Sequence, residues 1–238
     1  MIETRGLTVL ASARLREVRR VKNLLPVLYD KEYCSKADLE LPVYEIFRDS
    51  CDEEARNLLA KHGLRYDVTI MPPLMLGQEY VKTVGHYHAP FGDAGSHPEI
   101  FEVLEGEAHF LIQKQGGETI NISLLAAREG EKVLVAPDCG HVIINTSSRR
   151  LVTGNLISQN CIQTYDQYLQ KGGAAVYVLA GQRYVKNPHY SSVVEGGVPR
   201  MNLPFPGDCD LVQAFQQNLE QFAFLNEPKK CPQWNVTA

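Results

Sequence analysis

The amino-acid sequence predicts an all-β barrel of the jelly-roll type with a few peripheral helices. Beyond residue 65, short apolar runs alternate with Gly, Pro, Asn or Asp, a pattern typical of sandwiches and barrels rather than of alternating strands and helices. About nine such runs joined by tight turns favour a barrel made of two packed sheets. The predicted strands are Tyr66–Met71, Glu79–Thr83, Ile100–Leu104, Ala108–Gln113, Thr119–Leu124, Lys132–Val135, His141–Asn145, Leu151–Ile157 and Ala175–Ala180.

Two extensions are predicted to flank the barrel. The barrel itself is assigned to residues 56–187, an N-terminal arm to residues 1–55, and a C-terminal tail with one helix to residues 188–238. In the arm, Val43–Asp49 alternates well enough to form a short strand. A chain of 238 residues can hold one large domain of this kind. We expect the arm to wrap the barrel or a partner subunit.

Helices are predicted at three places outside these runs. The clearest is Asp52–His62, because Ser50 and Glu53 have the spacing of a capping box and Gly63 follows as the stop. Apolar residues at helical spacing predict a helix in the tail, which we expect to cover the barrel or a neighbour. The two other helical segments are Gln163–Gln170 and Asp210–Phe222.

The charge balance argues against a nucleic-acid-binding protein. The chain carries 24 Lys and Arg against 28 Asp and Glu, a net charge of −4 at pH 7. Its basic residues cluster only locally, at Arg14–Arg20, whereas a nucleic-acid-binding surface normally presents a broad basic face. We therefore expect no nucleic-acid partner.

The sequence also predicts a cytoplasmic protein that does not enter the membrane. No segment reaches the roughly 18 uninterrupted apolar residues of a membrane span. The N-terminus lacks the basic, apolar and small-residue order of a secretory signal. The six cysteines have no CxxC spacing, which favours free thiols in a reducing compartment over a zinc site or a disulfide framework.

Four side chains form a candidate metal site. His86 and His88 are separated by one residue, so a strand over Tyr80–His88 would place both imidazoles on one face. Glu99 opens the next apolar run, and His141 lies in a later one. Imidazole ligands favour iron, nickel, copper or zinc, and the carboxylate is compatible with manganese. The alternative is a pair of exposed loop histidines without a metal.

Two stretches resemble the motifs of the cupin superfamily. Glu99, followed by six residues and Gly106, resembles the second half of the first motif, and Pro137–Asn145 resembles the second. More narrowly, Thr83–His88 is similar to the cupin-type glucose-6-phosphate isomerases found mainly in archaea. The resemblance spans residues 67–187 and implies a cupin barrel. The other residues that match are Thr69, Gly77–Glu79, Tyr165 and Lys171–Gly172.

The resemblance implies an isomerase that interconverts glucose 6-phosphate and fructose 6-phosphate. It also implies a homodimer, a phosphorylated hexose as substrate, and one divalent metal per subunit. Fe²⁺ is the expected metal, and Mn²⁺, Zn²⁺ or Ni²⁺ are the alternatives. The family's metal ligands fall on His86, His88, Glu99 and His141. Its sugar-phosphate contacts fall on Thr69, Thr83, the backbone of Gly85, and Tyr165.

Glu99 is the expected catalytic base of such an isomerase. Its carboxylate would lie beside C1 and C2 of the open-chain sugar and move a proton between them. A metal-assisted hydride shift is the competing route, and both routes stay open at this point. Two other cupin functions are also open: a non-haem metal dioxygenase, which predicts an apolar pocket, and a sugar-binding protein without catalysis.

The sequence departs from the family's pattern at several positions. The loop Ala89–Ser96 makes the spacing between His88 and Glu99 longer than expected. A tyrosine is expected where Ile157 stands, and a histidine where Gln163 stands. These two changes weaken the assignment of the substrate and leave the metal ligands intact. Tyr80 also replaces the first glycine of the general cupin motif.

Two residues beside the predicted ligands need separate interpretation. His97 precedes Glu99 by two residues and would share its face if the strand begins that early. It is either an acid for opening the sugar ring or a loop histidine. Tyr87, between the two histidine ligands, is expected to point away from the metal and to pack in the core.

Overall fold

The computed structural model describes residues 13, 15–196 and 209–231. Strands dominate this part of the chain and pair mainly in antiparallel fashion. In chain order the strands are β1 Leu15–Arg20, β2 Pro42–Arg48, β3 Leu64–Met71, β4 Met75–Leu76, β5 Glu79–Tyr80, β6 Tyr87–His88, β7 Glu99–Glu105, β8 Glu107–Gly116, β9 Thr119–Arg128, β10 Lys132–Val135, β11 Cys139–Ile144, β12 Leu151–Ser158, β13 Gln163–Thr164, β14 Val176–Leu179, β15 Arg183–Lys186 and β16 Ser192–Glu195.

Short helices lie between and after these strands. Within the described ranges, none has the length and apolar character needed to cross a bilayer. The α-helices are α1 Val21–Leu24, α2 Lys31–Lys36, α3 Glu53–Lys61, α4 Asp166–Gln170 and α5 Leu211–Gln217. The 3₁₀ turns are Leu25–Val27, Gly92–Ala94, Ala180–Gln182, Leu219–Leu225 and Pro228–Lys230.

Two main sheets form the barrel. The larger has the strand order β1-β2-β3-β12-β7-β10, and the smaller has the order β11-β8-β9-β16. Every neighbouring pair in them is antiparallel except β16 and β9, which run parallel. Sequence neighbours β8 and β9 pair directly, while β3 and β12 are brought together from distant parts of the chain. The predicted fold, an all-β jelly-roll barrel with peripheral helices, is confirmed.

The larger sheet is buried on both faces. Along β7, Phe101 and Val103 belong to the core between the two sheets, whereas Ile100 faces a second apolar cluster outside the barrel. This alternation follows from the period of two along a strand. The second cluster is closed by α3 and by the C-terminal segment. Its main members from these elements are Ala55, Leu59, Leu211, Phe215, Phe222, Phe224 and Leu225.

Part of the predicted arm belongs to the larger sheet. The predicted strand Val43–Asp49 is observed as β2, which pairs with β3 of the barrel. β1, which the sequence did not predict, adds an outer strand to β2. Its sequence, LREVRR, is rich in charge and therefore lacks the apolar alternation on which strand prediction depends. The division of the chain into arm, barrel and tail stays a prediction.

The predicted capping box before α3 is wrong. The helix is where it was expected, and Gly63 ends it with a positive φ of 67°. However, Asp52 is the N-cap, since its side chain accepts a hydrogen bond from the Ala55 N–H. The Ser50 hydroxyl instead donates to the Phe47 carbonyl. Both residue types are good N-caps, so composition alone does not choose between them.

Three other boundaries differ from the sequence prediction. Residues 80–88 do not form one strand: β5 and β6 are separate, and isolated bridges join the backbone between them to β11. Residues 163–164 pair with β6 as strand β13, so the helix begins only at Asp166. The tail helix stops at Gln217, because Asn218 has a non-helical φ of −150° and ψ of 84°. The chain continues there as the 3₁₀ turn Leu219–Leu225.

Glu102 joins the barrel to the C-terminal segment and makes their contact sensitive to pH. It accepts hydrogen bonds from the Tyr66 hydroxyl at 2.6 Å and from the Leu211 N–H at 3.0 Å. Burial, the main cause, raises the pKa of Glu102 to about 7. Between about pH 4.5 and 7, Glu102 therefore keeps its proton in the folded protein and loses it in the unfolded chain. The free energy of unfolding should fall as the pH rises through this window.

We expect urea denaturation to measure an unfolding free energy about 2–3 kcal/mol lower at pH 8 than at pH 5 from this group alone. Glu102→Gln cannot titrate, so it should flatten the pH dependence, while other titrating groups affect both proteins equally. Identical pH slopes for the wild type and Glu102→Gln would contradict the expected role of Glu102.

Candidate metal centre and active site

The structure brings together the four residues that the sequence singled out as ligands. His86, His88, Glu99 and His141 each offer one atom, and these atoms all lie within 4.8 Å of one another. Nε2 of His88 is 3.3 Å from Nε2 of His86. Oε2 of Glu99 is 3.3 Å from Nε2 of His88 and 3.4 Å from Nε2 of His141. Three imidazole nitrogens and one carboxylate oxygen therefore converge on one point.

Backbone pairing between distant strands produces this convergence. The N–H and C=O groups of His86 and His141 exchange two hydrogen bonds, which ties the start of β6 to β11. His88 lies in β6, which pairs with β13. Glu99 is the first residue of β7, opposite Ile157 of β12. Three contacts between strands thus hold the four residues.

Further hydrogen bonds orient two of the four side chains. The His88 Nδ1–H donates to the backbone carbonyl of His97 at 2.6 Å. Because a carbonyl oxygen only accepts, one proton lies on Nδ1, and Nε2 is the atom that faces the other candidate ligands. The Asn155 amide donates to Glu99 Oε1 at 2.7 Å, which leaves Oε2 directed toward the histidines.

This donor set fits a divalent metal ion. Glu99 Oε2 is fully buried and has no hydrogen-bond partner among the described residues, although three imidazole nitrogens surround it. Buried polar atoms without partners are rare in folded proteins. A cation bound between Oε2 and the three nitrogens would satisfy all four atoms. The residues present could therefore hold one metal ion per chain.

Burial sets the protonation of most of these groups. It lowers the pKa of His86 well below its ordinary value and that of His141 to about 4, so both rings are neutral at pH 7. Burial acts to raise the pKa of Glu99, but the neighbouring His88 and His141 outweigh it and keep the carboxyl ionised. For His88, burial lowers the pKa, but Cys161 and Glu99 raise it by more. The net pKa of His88 is about 10. Metal binding at His88 must therefore release a proton.

A cleft that is partly open to solvent reaches three of the four candidate ligands, His86, Glu99 and His141. The four predicted sugar-phosphate contacts, Thr69, Thr83, Gly85 and Tyr165, all line the cleft. The other lining residues are Tyr44, Ile46, Arg48, His86, Glu99, Phe101, His141, Ile143, Asn155 and Gln163.

Gly85 is required by the packing of the cleft wall. Its φ is +83°, a conformation that side chains disfavour. A Cβ there would lie 2.7 Å from Val142 Cγ2 and 2.8 Å from the ring of Tyr168. Only a glycine lets the backbone pass this close to the core while leading directly into His86.

Comparison with known proteins identifies the family. A family model described as "Glucose-6-phosphate isomerase (GPI)" matches residues 18–195, more than half of the chain. This chain belongs to the glucose-6-phosphate isomerase family. The resemblance seen in the sequence is therefore confirmed, and the match includes all four candidate ligands and most of the predicted arm.

Curated relatives with the name glucose-6-phosphate isomerase agree with this assignment. The protein of Thermococcus gammatolerans is 28% identical over 179 residues, which are 74% of this chain and 88% of that protein. The protein of Thermococcus litoralis is 26% identical over 165 residues, 68% of this chain and 80% of that protein. The protein of Pyrococcus furiosus is 24% identical over 181 residues, 74% of this chain and 88% of that protein.

Similarity to solved structures is weak. An oxalate oxidase bound to glycolate is 18% identical and has a TM-score of 0.34, covering 43% of this chain and 46% of that protein. Oxalate decarboxylase from Bacillus subtilis is 13% identical and has a TM-score of 0.37, covering 51% of this chain and 27% of that protein. We draw no conclusion about activity from these similarities.

Sequence reasoning missed several residues of the cleft. Tyr44, Ile46 and Arg48 come from β2 and line the cleft together. Their i, i+2, i+4 spacing was visible in the sequence as an alternating strand, but nothing local indicates that β2 lies beside β3. Asn155 was missed because an asparagine in an apolar strand carries no local signal for the carboxylate that it contacts.

The structure also locates the residues that depart from the family's pattern. Gln163 lines the cleft and accepts a hydrogen bond from the Tyr165 hydroxyl at 2.8 Å. Ile157 is fully buried and does not line the cleft. Tyr87 packs in the core, where its hydroxyl accepts a hydrogen bond from Gln113, as expected for a side chain that points away from the ligands. His97 is buried and lies outside the cleft lining.

Proposed function

We propose that this protein is a metal-dependent aldose–ketose isomerase that interconverts glucose 6-phosphate and fructose 6-phosphate. The observation that carries the proposal is the convergence of three imidazole nitrogens and the unpartnered Glu99 Oε2 beside a cleft that is partly open to solvent. Membership in the glucose-6-phosphate isomerase family supports the same reaction and the same substrate class.

We propose His86, His88, Glu99 and His141 as the ligands of one divalent metal. Ferrous iron is the expected metal, with Mn²⁺, Zn²⁺ and Ni²⁺ as alternatives, because imidazole and carboxylate together suit all of these ions. When bound, such an ion acts as a Lewis acid that polarises a sugar carbonyl and stabilises negative charge on its oxygen.

The cleft offers hydrogen-bonding groups for the phosphorylated hexose. The Thr83 hydroxyl oxygen already accepts a bond from the Ile143 N–H at 3.0 Å, so its own proton is free to donate to a phosphate oxygen. Thr69, the Gly85 N–H and the Tyr165 hydroxyl are the other proposed contacts. These hydroxyl and amide donors favour a phosphorylated sugar over the dioxygenase alternative, although most of the exposed cleft surface is apolar.

Glu99 is the proposed base that moves a proton between C2 and C1 of the open-chain sugar. Its carboxyl stays ionised because His88 and His141 hold its pKa below the ordinary value. Asn155 anchors Oε1, so Oε2, which is also the proposed metal-binding atom, is the oxygen that would accept the proton when it is not bound to the metal.

The test is proton NMR of the purified protein with fructose 6-phosphate in D₂O, with added Fe²⁺ or Mn²⁺ and again after EDTA. We expect glucose 6-phosphate to appear only with metal and to carry deuterium at C2, because a proton on Glu99 can exchange with solvent. A product without deuterium at C2 would favour a hydride shift over proton transfer through Glu99. The matched control contains metal and substrate without protein.

Failure of the reaction would have a definite meaning. A protein that binds a divalent metal but converts no fructose 6-phosphate with Fe²⁺ or Mn²⁺, nor when Zn²⁺ or Ni²⁺ is added in their place, would overturn the isomerase proposal. Binding of the sugar phosphate without turnover would then favour the sugar-binding alternative.

We further propose a cytoplasmic homodimer. None of the six cysteines, all of which lie in the described ranges, forms a disulfide, which is usual in a reducing compartment. The dimer is supported only by the resemblance to cupin-type isomerases. Light scattering coupled to size-exclusion chromatography tests it, since a particle near the chain mass of 26.7 kDa would exclude the dimer.

A further inference from the structure

We infer that the C-terminal segment 209–231 positions the metal ligand His88, and that His97 is the positioning residue that connects them. The inference rests on the metal site of the proposed function. It adds to that site a support that comes from outside the region matched by the family model, which ends at residue 195.

Two consecutive hydrogen bonds link the segment to the ligand. The His97 Nδ1–H donates to the backbone carbonyl of Leu225 at 3.0 Å. The backbone carbonyl of His97 in turn accepts the Nδ1–H of His88 at 2.6 Å. Since both acceptors are carbonyl oxygens, the proton of each ring lies on Nδ1. His88 is therefore held in the tautomer whose Nε2 can bind a metal.

The Leu225 carbonyl is held firmly from both sides of the chain. Before it, Phe222 and Phe224 are buried in the apolar cluster on the outer face of the larger sheet, as is Leu225 itself. After it, the Asn226 amide donates to the His62 carbonyl at 2.7 Å, and its oxygen accepts the Ser158 hydroxyl at 2.7 Å. The acceptor that His97 uses is thus a fixed point of the fold.

The backbone of His97 is fixed from the other side as well. The preceding residue, Ser96, donates its N–H to Asp138 Oδ1 at 2.9 Å, and its hydroxyl accepts the Asp138 N–H at 2.7 Å. This pair closes the extended loop Ala89–Ser96 onto the turn before β11. His97 therefore lies between two anchors, and its carbonyl can fix the orientation of the His88 ring.

A catalytic role for His97 does not agree with its surroundings. Its side chain does not line the cleft, and its ring packs against Phe91 with centroids 4.5 Å apart. Its Nε2 is buried without a hydrogen-bond partner among the described residues, so it has no path for a proton to the sugar. Its two hydrogen bonds lead to the ligand His88 and to the C-terminal segment.

The test compares the Mn²⁺ affinity of the full-length wild type with His97→Leu and His97→Asn, by calorimetry and by the EPR spectrum of the bound ion. His97→Leu removes the donor to Leu225, and loss of such an outer support typically weakens metal binding by about 10- to 100-fold. His97→Asn should restore binding, because its amide nitrogen takes the place of Nδ1. If His97→Leu does not fold, His97→Gln takes its place. The Gln side chain is one carbon longer than that of Asn, so its amide does not lie at the position of Nδ1 and cannot donate to Leu225 in the same way.

A stability control separates positioning from general loosening of the fold. Leu59→Ala removes a buried side chain of the same apolar cluster that makes none of these hydrogen bonds. It should lower the melting temperature and leave the Mn²⁺ affinity of the folded protein unchanged. Wild-type affinity in His97→Leu, or equal losses in His97→Leu and His97→Asn, would overturn the inference.

The outcome is distinguishable from failure of the proposed function. A wild type that binds Mn²⁺ but converts no fructose 6-phosphate would remove the isomerase proposal, and the loss of affinity in His97→Leu would still support the positioning role. An active wild type whose His97→Leu variant binds Mn²⁺ normally would remove the positioning role alone.

Discussion

Glu99→Gln is expected to lower the turnover of fructose 6-phosphate by about 10²- to 10⁴-fold while the fold is retained. The amide has the shape of the carboxylate, and its oxygen can still accept the Asn155 hydrogen bond. It lacks the negative charge and the basicity needed to take a proton from the sugar. The measurement is kcat at saturating Mn²⁺, with the melting temperature as the check on folding.

The metal concentration matters because Glu99 is also a proposed ligand. Saturating Mn²⁺ separates the loss of the base from weaker metal binding, and the Mn²⁺ content of the variant is measured alongside its turnover. The matched control is Glu107→Gln, which changes a carboxylate on β8 that pairs with Arg128 at the surface. Near wild-type turnover in Glu99→Gln would remove Glu99 as the base and direct attention to a hydride shift.

Replacing His86 and His141 together by alanine is expected to abolish metal retention. The two rings are neighbours, with centroids 4.4 Å apart, and each supplies one of the converging nitrogens. Two remaining ligands, His88 and Glu99, are too few for the four-ligand site that these residues form. The measurement is metal content by mass spectrometry after dialysis against buffer containing Mn²⁺ and then against metal-free buffer.

The control for the double variant is His109→Ala. His109 is also buried, but it lies near Glu107 on β8 and does not belong to the ligand cluster. This variant should retain one metal ion per chain. A His86→Ala/His141→Ala protein that still holds stoichiometric metal would show that the metal is bound elsewhere.

Much of the barrel was predictable because its signals are local. Lys132–Val135 was predicted with its observed bounds, and the run Leu151–Ile157 differs from β12 by one residue. Lys132–Val135 ends in three consecutive apolar residues, as expected for a strand of a sheet that is buried on both faces. By contrast, β1 is charged and β16 follows a stretch of loop residues, so neither has a period that sequence analysis can detect.

The broken strand before His88 shows the limit of periodicity. Residues 80–88 alternate like a strand, yet only β5 and β6 have regular pairing, because the backbone between them bonds to β11 one residue at a time. The histidines still converge, because the bridge between His86 and His141 holds these two residues next to each other and close to His88. The imidazoles of His86 and His88 therefore lie close together as expected, although the backbone does not form one continuous strand.

The kind of barrel and the convergence of the four candidate ligands were both predictable from the sequence. They were predictable because strand periodicity and the HxH spacing act over a few residues, and because the motif around Glu99 and His141 resembles a known family. The side chains that surround those four residues became visible only in the tertiary structure. Asn155 reaches Glu99 across 56 positions, and His97 reaches Leu225 across 128. Contacts over such separations depend on the packing of whole sheets and leave no trace in the local pattern of residues.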